Sequence, residues 1–350
     1  MRHIRTIPTV TLALVLAVTA CGGDAETETP ETLTLMAHAS FAGPANETDA
    51  FGPFTEETGI DVEVLASDDA GTLVNQAVLT ADNPLADVLF GVDDTFLSRA
   101  VDEGIFAPYQ SENLDAVPDD LHHPDHMVTP IDYGDVCFNY DKAWFEENGL
   151  DVPETLDELA DPAYAAQTTV EHPATSSPGL AFLLATIDVF GEEGWLDWWA
   201  EMKAGGVNVA NDWDTAYYSD FTRYGGDSPI VMSYASSPPA EVIFAEETPE
   251  VAPTGVIEAG CYRQVEYAGV LDGTRYPESA GDLIDYMLSV EFQETVPLSW
   301  FVFPANQEAQ LPTEFVEHTT IPESPTRLDA DHIAENRDRW IDEWIGVMEG

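Results

Sequence analysis

Short apolar runs alternate with stretches of helical periodicity along most of the chain. Leu33 to Ala37, Ile60 to Leu65 and Ala86 to Val92 are compact runs bounded by polar or turn residues, which predicts short buried strands. Glu47 to Thr58, Thr72 to Ala81 and Asp94 to Glu103 carry helical spacing, so the opening third reads as a βαβαβα array. A second array is predicted farther on, with strands at Thr168 to Glu171 and Ile230 to Tyr234. Its helices fall near Gly179 to Phe190, Gly194 to Lys203, Thr215 to Tyr224 and Ala240 to Glu246. The closing segment, Ala330 to Met348, sets Ile333, Trp340, Ile341, Trp344, Ile345 and Met348 on one helical face, an amphipathic helix that packs across a lobe. No internal repeat is present.

Two long extended runs, Ile131 to Asp141 and Tyr262 to Val270, bracket the second array, as the strands of a hinge would. About 330 residues beyond the leader exceed one ordinary core. The expectation is an α/β, two-lobed fold with a two-strand hinge. Residues 33–134 and 262–310 form one lobe, and residues 135–261 and 311–350 the other. In such sheets, ligands bind at the carboxyl ends of the strands. Each hinge run carries one cysteine, Cys137 or Cys261; a disulfide between them is the economical reading, and two separate buried thiols the alternative.

The N-terminus changes the compartment. Arg2 and Arg5 precede the apolar run Val10 to Val18 with no acid in residues 1–20, the layout of an export signal too short to span a membrane. The run ends in Val18-Thr19-Ala20-Cys21-Gly22-Gly23, which resembles a bacterial lipobox. Cleavage before Cys21 and lipidation of its thiol would anchor the protein on the outer face of the cell membrane or in the periplasm; a soluble secreted protein is the alternative. Residues 21–32 read as a solvated, flexible tether.

Composition then narrows the partners. The formal net charge is −55, and loss of residues 1–20 leaves 9 cationic against 66 acidic side chains, or −57. Apolar residues still make up 44% of the chain, so it is globular rather than disordered. Such a surface repels nucleic acid and anionic lipid, and suits a salty habitat or the attraction of cationic solutes.

Candidate chemistry is sparse. Trp195, Trp198, Trp199, Trp340 and Trp344 sit at packing spacings on helices, whereas Trp213 and Trp300 lie in turn-like contexts where an aromatic could stack on a flat heterocycle or a cation. Thr175-Ser176-Ser177-Pro178-Gly179 and Ala235-Ser236-Ser237-Pro238-Pro239 place serines before a helix-opening proline. That arrangement binds anions at a helix start or simply caps it. Asp68-Asp69 and Asp93-Asp94 follow the second and third strands, where ligands bind, though acids are abundant everywhere in this chain. His122-His123-Pro124-Asp125-His126 lacks regular metal-ligand spacing, so no metal site is expected. Nothing pairs a serine or cysteine with a histidine, and no phosphate loop or zincin motif is present, so an enzyme is not expected.

Several stretches, in order along nearly the whole chain after the leader, resemble the thiamine-binding proteins of ABC importers, which have the type II periplasmic-binding-protein fold. They are Ala86 to Asp93, Asp132-Tyr133-Gly134 with Asn139 to Lys142, Thr175 to Leu180, Trp213 to Tyr217, Ser233 to Pro238, Gln264-Val265-Glu266, Trp300 to Pro304 and Arg337 to Trp344. The resemblance implies that Asp69, Ser176, Trp213, Tyr234 and Trp300 line the cleft. Trp213, Tyr234 and Trp300 would stack on the pyrimidine and thiazolium rings; Asp69 would supply a counter-charge, and Ser176 would bind the hydroxyethyl oxygen or a phosphate. His38, Asp93 and Tyr217 complete the expected ligand set, with thiamine or a thiamine phosphate as cargo, no cofactor, an ABC permease as partner and a monomeric state. His38 and Ala240 stand where the family has tyrosines. Tyr217-Tyr218 is similar to the paired tyrosines of iron-binding proteins of this superfold, which keeps ferric iron or a polyamine as the alternative cargo; a secreted hydrolase is the competing class.

Overall fold

The computed structural model describes residues 29–350 apart from 246 and 248. The expected export signal, Cys21 and the first part of the tether lie outside the described residues. One twisted mixed sheet contains ten strands: β1 (Thr32–His38), β2 (Asp61–Ser67), β3 (Val88–Asp93), β4 (Phe106–Ala107), β5 (Thr129–Asp141), β6 (Thr168–Glu171), β7 (Asn208–Ala210), β8 (Ile230–Tyr234), β9 (Thr254–Leu271) and β10 (Phe303–Pro304). The strand order is β2-β1-β3-β9-β5-β8-β6-β7, with β4 on β9 and β10 on β5.

This order contains two parallel α/β units. In one, β1 lies between β2 and β3; in the other, β6 lies between β7 and β8. They are joined by the antiparallel pair β5 and β9. β9 pairs with β3 through its last residues, and β5 pairs with β8. The architecture is therefore two-lobed, with two long strands running between the lobes. Those strands begin earlier than the sequence suggests, β9 by eight residues, because Thr254 to Ile257 pair with Phe138 to Asp141 beyond a bulge. The pairing skips from Val136–Tyr262 to Phe138–Ile257. Cys137 and Cys261 are disulfide-bonded at this bulge, with Cα atoms 4.5 Å apart, so the crosslink ties β9 to β5 where the ladder is interrupted.

The strand unit around β1 packs on the Ala39–Glu47 and Pro277–Met287 helices through Leu33, Leu35, Phe41, Phe90, Leu283 and Phe292. The larger core centres on the Ser177–Gly205 segment, two helical stretches that meet at Gly191, whose φ of +70° and ψ of 169° are not helical; this matches the two helices expected there. The C-terminal helix, Ala330–Met348, joins this core: Trp344 meets Trp199 edge to face at 5.5 Å, and Arg337 lies over Phe96. The Ala39–Glu47 helix is not expected from the sequence because Gly43 and Pro44 disguise it. The stretch after Trp213 forms a π-helix at Thr215–Asp220 and a 3₁₀ turn at Thr222–Tyr224 rather than a single α-helix. Among the described residues, no helix is long and apolar enough to cross a membrane.

Candidate ligand-binding cleft

The carboxyl ends of β1 and β8, together with Phe90 of β3, Asp132 of β5 and Glu266 of β9, converge on a cavity of about 420 Å³. That volume lies within the range of small-molecule sites. One wall comes from the β1–β3 half. His38 ends β1, Phe41 opens the following helix, Phe90 lies on β3 and Trp300 follows the Val296–Ser299 turn. Trp300 stacks on Phe41 at 4.7 Å and 16° and donates its indole N–H to the Phe41 carbonyl at 3.2 Å. Its position is therefore set by packing as well as by the cavity. Gly91 makes room for the histidine: its φ is +95°, and a Cβ there would come within 2.2 Å of His38 Cδ2.

The facing wall comes from the other half. Trp213 lies face to face with Tyr217 at 5.0 Å and 14°, and its indole donates to Ser233 Oγ at 2.9 Å. Tyr217 and Tyr218 belong to the π-helix, whose irregular register sets these neighbouring rings nearly perpendicular, at 84°. Tyr234 ends β8 and donates its hydroxyl to Gln264 on β9 at 3.2 Å. The Tyr217 hydroxyl donates to Glu241, which also accepts from Tyr224 and pairs with Arg223, so it is engaged inside the protein.

The floor is acidic. Asp132 and Glu266 stand directly opposite each other on β5 and β9, and both line the cavity. Burial, reinforced by the Glu266 charge, raises Asp132 well above the usual carboxylate range. Glu266 Oε1 lies 3.3 Å from His38 Nε2. Burial works against the imidazolium of His38, but Glu266, with Asp69 and Asp214, outweighs it and raises the histidine above its ordinary value. Asp69 caps the Ala70–Leu79 helix through Oδ1, which accepts from the Ala70 N–H at 2.7 Å, while Oδ2 makes no hydrogen bond of good geometry. Burial raises Asp69 as well, against the lowering effect of His38. No lysine or arginine is among the residues lining the cavity. The arrangement favours a flat, cationic, partly apolar ligand.

Of the expected ligand residues, His38, Asp69, Trp213, Tyr217, Tyr234 and Trp300 come together here. Ser176 and Asp93 do not reach the cavity. Ser176 is fully buried, caps the Ser177–Gly205 helix through the Gly179 N–H and is hydrogen-bonded to Glu171; its neighbour Ser177 is the serine on the wall. Asp93 is also fully buried and accepts from the Thr95 hydroxyl at 2.8 Å and the Phe96 N–H at 3.2 Å. Ser176 is thus engaged as a helix cap, and Asp93 by the turn that follows its own strand. Phe41, Phe90, Asp132 and Glu266 line the site without having been singled out in the sequence. For Asp132 and Glu266 the available signal is an acid inside each long extended run. Ala240 borders the cavity, as His38 does, so both positions where the resemblance implies a tyrosine fall at the site. Among the described residues, no group of three or more His, Cys, Asp or Glu side chains is placed to hold a metal ion.

Residues 83–336 match the bacterial extracellular solute-binding protein family, and the chain belongs to it. The chain is 29% identical over 317 residues to the thiamine-binding periplasmic protein of Salmonella typhimurium, covering 89% of this chain and 92% of that one. It is also 29% identical over 320 residues to the protein of the same name from Escherichia coli K12, with coverage of 89% and 92%. A solved periplasmic thiamin binding protein shares the fold at a TM-score of 0.81 and 27% identity, over 91% of this chain and 96% of that one. The chain's role is thus extracytoplasmic capture of a solute rather than catalysis.

Proposed function

We propose that the chain captures thiamine between its lobes and delivers it to an ABC permease. The observation that carries this reading is the lining of the cavity: stacked aromatic walls over the carboxyl groups of Asp69, Asp132 and Glu266, with no cationic side chain except His38. A desolvated thiazolium would gain about 2 kcal/mol from a well-placed aromatic face. Asp69, on the cavity wall, would supply a counter-charge or accept a hydrogen bond from the aminopyrimidine. The names of the relatives point to the same cargo. The lining favours thiamine over its diphosphate, whose charges would meet carboxylates with no lysine or arginine to receive them. Ferric iron is disfavoured because the Tyr217 hydroxyl is already bonded to Glu241.

The lobe division at residues 33–134 with 262–310 and 135–261 with 311–350, lipid anchoring through Cys21 and a monomeric state complete the proposal. Titration of ligand-stripped protein with thiamine and with thiamine diphosphate, followed by tryptophan fluorescence, tests it. Saturable quenching by thiamine, weaker with the diphosphate and lost in Trp213→Ala, is expected. No response to thiamine up to the millimolar range would leave a solute-binding protein with another cargo. Mass spectrometry of the mature N-terminus reads the lipid on Cys21.

A further inference from the structure

The two halves touch directly beside the cavity, and one of those contacts depends on a residue that has no role in lining it. Gly71 is the second residue of the Ala70–Leu79 helix, in the β1–β3 half. Its N–H is one of the donors at a helix start that have no partner within the helix. It is satisfied across the cleft, by the carbonyl of Thr175 at 3.1 Å. Thr175 lies in the loop between β6 and the Ser177–Gly205 helix, in the other half.

The approach is too close for any side chain. A Cβ at position 71 would lie 2.7 Å from the Ala174 carbonyl oxygen, 2.8 Å from that of Thr175 and 3.1 Å from Phe96 Cζ. The two oxygens are backbone atoms on a loop with little freedom to yield. Thr175 donates its own N–H to the His172 carbonyl at 3.1 Å and its hydroxyl to the Asn211 carbonyl at 2.6 Å. The glycine is not needed for backbone conformation, since Gly71 is not among the residues of positive φ. Alanine would be the better helix former at this position, so the close approach is what calls for glycine.

A second contact crosses between the halves at the other helix-opening serine pair. Ser236 donates its hydroxyl to the Phe301 carbonyl at 2.5 Å, and the Phe301 ring meets Phe244 edge to face at 5.6 Å. Phe301 holds a φ of +56°, a conformation costly for a bulky residue, which turns up where surrounding contacts impose it.

We propose that Gly71 is a positioning residue for cleft closure: it lets the N-terminus of its helix dock on the Thr175 carbonyl, and the Ser236–Phe301 bond is the second clasp of the same closed form. Gly71 does not line the cavity, but Asp69, which does, caps the same helix, so the interlobe distance is the readout that separates a change of lobe arrangement from a local shift of Asp69. The proposal rests on the thiamine reading only for its choice of probe.

The test uses Gly71→Ala and, to remove the second clasp without adding bulk, Ser236→Ala. Spin labels at Leu79→Cys and Val189→Cys, both exposed and in opposite halves, report the interlobe distance by pulsed electron resonance in the disulfide-intact protein. In Gly71→Ala the distances shift toward longer values with and without thiamine, and thiamine release accelerates roughly tenfold. Circular dichroism and thermal melting stay as in the parent. Ser236→Ala shifts the distances the same way by less. Distance distributions and release rates matching the parent in Gly71→Ala would overturn the proposal. A distance shift in a protein whose parent shows no thiamine response would support the clasp and overturn thiamine as the cargo.

Discussion

Glu266 Oε1 lies 3.3 Å from His38 Nε2, at the meeting point of the hinge strand β9 and the end of β1. This pairing sets a histidine among the carboxyl groups that line the cavity. The carboxylate holds the imidazole's charge in place as long as the imidazole is protonated, and is left facing the cavity once it is not.

The pair predicts how binding follows pH. Asp69 and Asp132 are raised by burial, and His38 is raised by Glu266, Asp69 and Asp214 once its own burial is outweighed. As pH rises, the acids ionise and His38 loses its proton, so every change makes the cavity more negative. Affinity for thiamine should therefore increase between about pH 5 and 8, on the order of tenfold, as read by fluorescence titration. Glu266→Gln should weaken binding at pH 8 and flatten the profile; an unchanged slope in that variant would remove Glu266 from the account.

Trp300 and Trp213 should separate folding from binding. Trp300 stacks on Phe41 and on Phe292 and is tied to a backbone carbonyl, so Trp300→Ala should lose about 3 kcal/mol of stability as well as affinity. Trp213 is held by Tyr217 and Ser233 at the cleft wall. Trp213→Ala should weaken thiamine binding by roughly 30-fold, the equivalent of about 2 kcal/mol of cation–π attraction, with a smaller change in denaturation midpoint. Urea melts and titrations on both variants check the difference.

The Cys137–Cys261 disulfide closes a sequence separation of 124 residues. Replacing both cysteines by alanine should cost about 2–5 kcal/mol, largely by releasing the unfolded chain. It would also free the bulged residues 258–261 of β9 from β5. Denaturant unfolding of the double variant against the parent measures this, and equal stability would mean that the ladder on either side of the bulge suffices.

Stability itself should fall as pH rises. Burial and mutual repulsion push Asp93 up to about 8, and burial pushes Asp94 up to about 6 despite Arg327. In the unfolded chain, aspartates titrate near about 4. Between about pH 4 and 8 the folded protein thus keeps protons that the unfolded chain has released, and stability declines across that window. His38, also raised, adds a contribution of the same sign, present at low pH and lost as pH rises through its folded value. With surface repulsion screened in about 1 M salt, the melting temperature of the ligand-free protein should be several degrees higher at pH 5.5 than at pH 8.5.

Local pattern accounts for much of the architecture. β6, β8 and the C-terminal helix fall at the residues their periodicity marks, because apolar spacing and caps act within a few residues of chain. A serine N-cap just ahead of Pro178, which is Ser176, was legible for the same reason. The Ala39–Glu47 helix was hidden because Pro44 and Gly43 oppose it locally, and packing of Phe41, Ala42 and Ala45 supplies what propensity does not.

The binding site was legible only in part. Trp213 and Trp300 stood out as aromatics in turn-like contexts, and Asp69 as an acid at a strand end. Which of two adjacent serines faces the ligand depends on the helix's rotation, since successive side chains on a helix point about 100° apart. Ser177 reaches the cavity, while Ser176 turns inward to Glu171. Asp132 and Glu266 become a pair only through the register of β5 against β9, and Gly71 acquires its purpose only when a loop about a hundred residues away closes on it. The sequence by itself determined the alternating elements, the two extended runs that join the lobes and the scarcity of cationic side chains. The tertiary structure alone decided which residues share a wall, because strand register and lobe contact are long-range relations that no short window of chain contains.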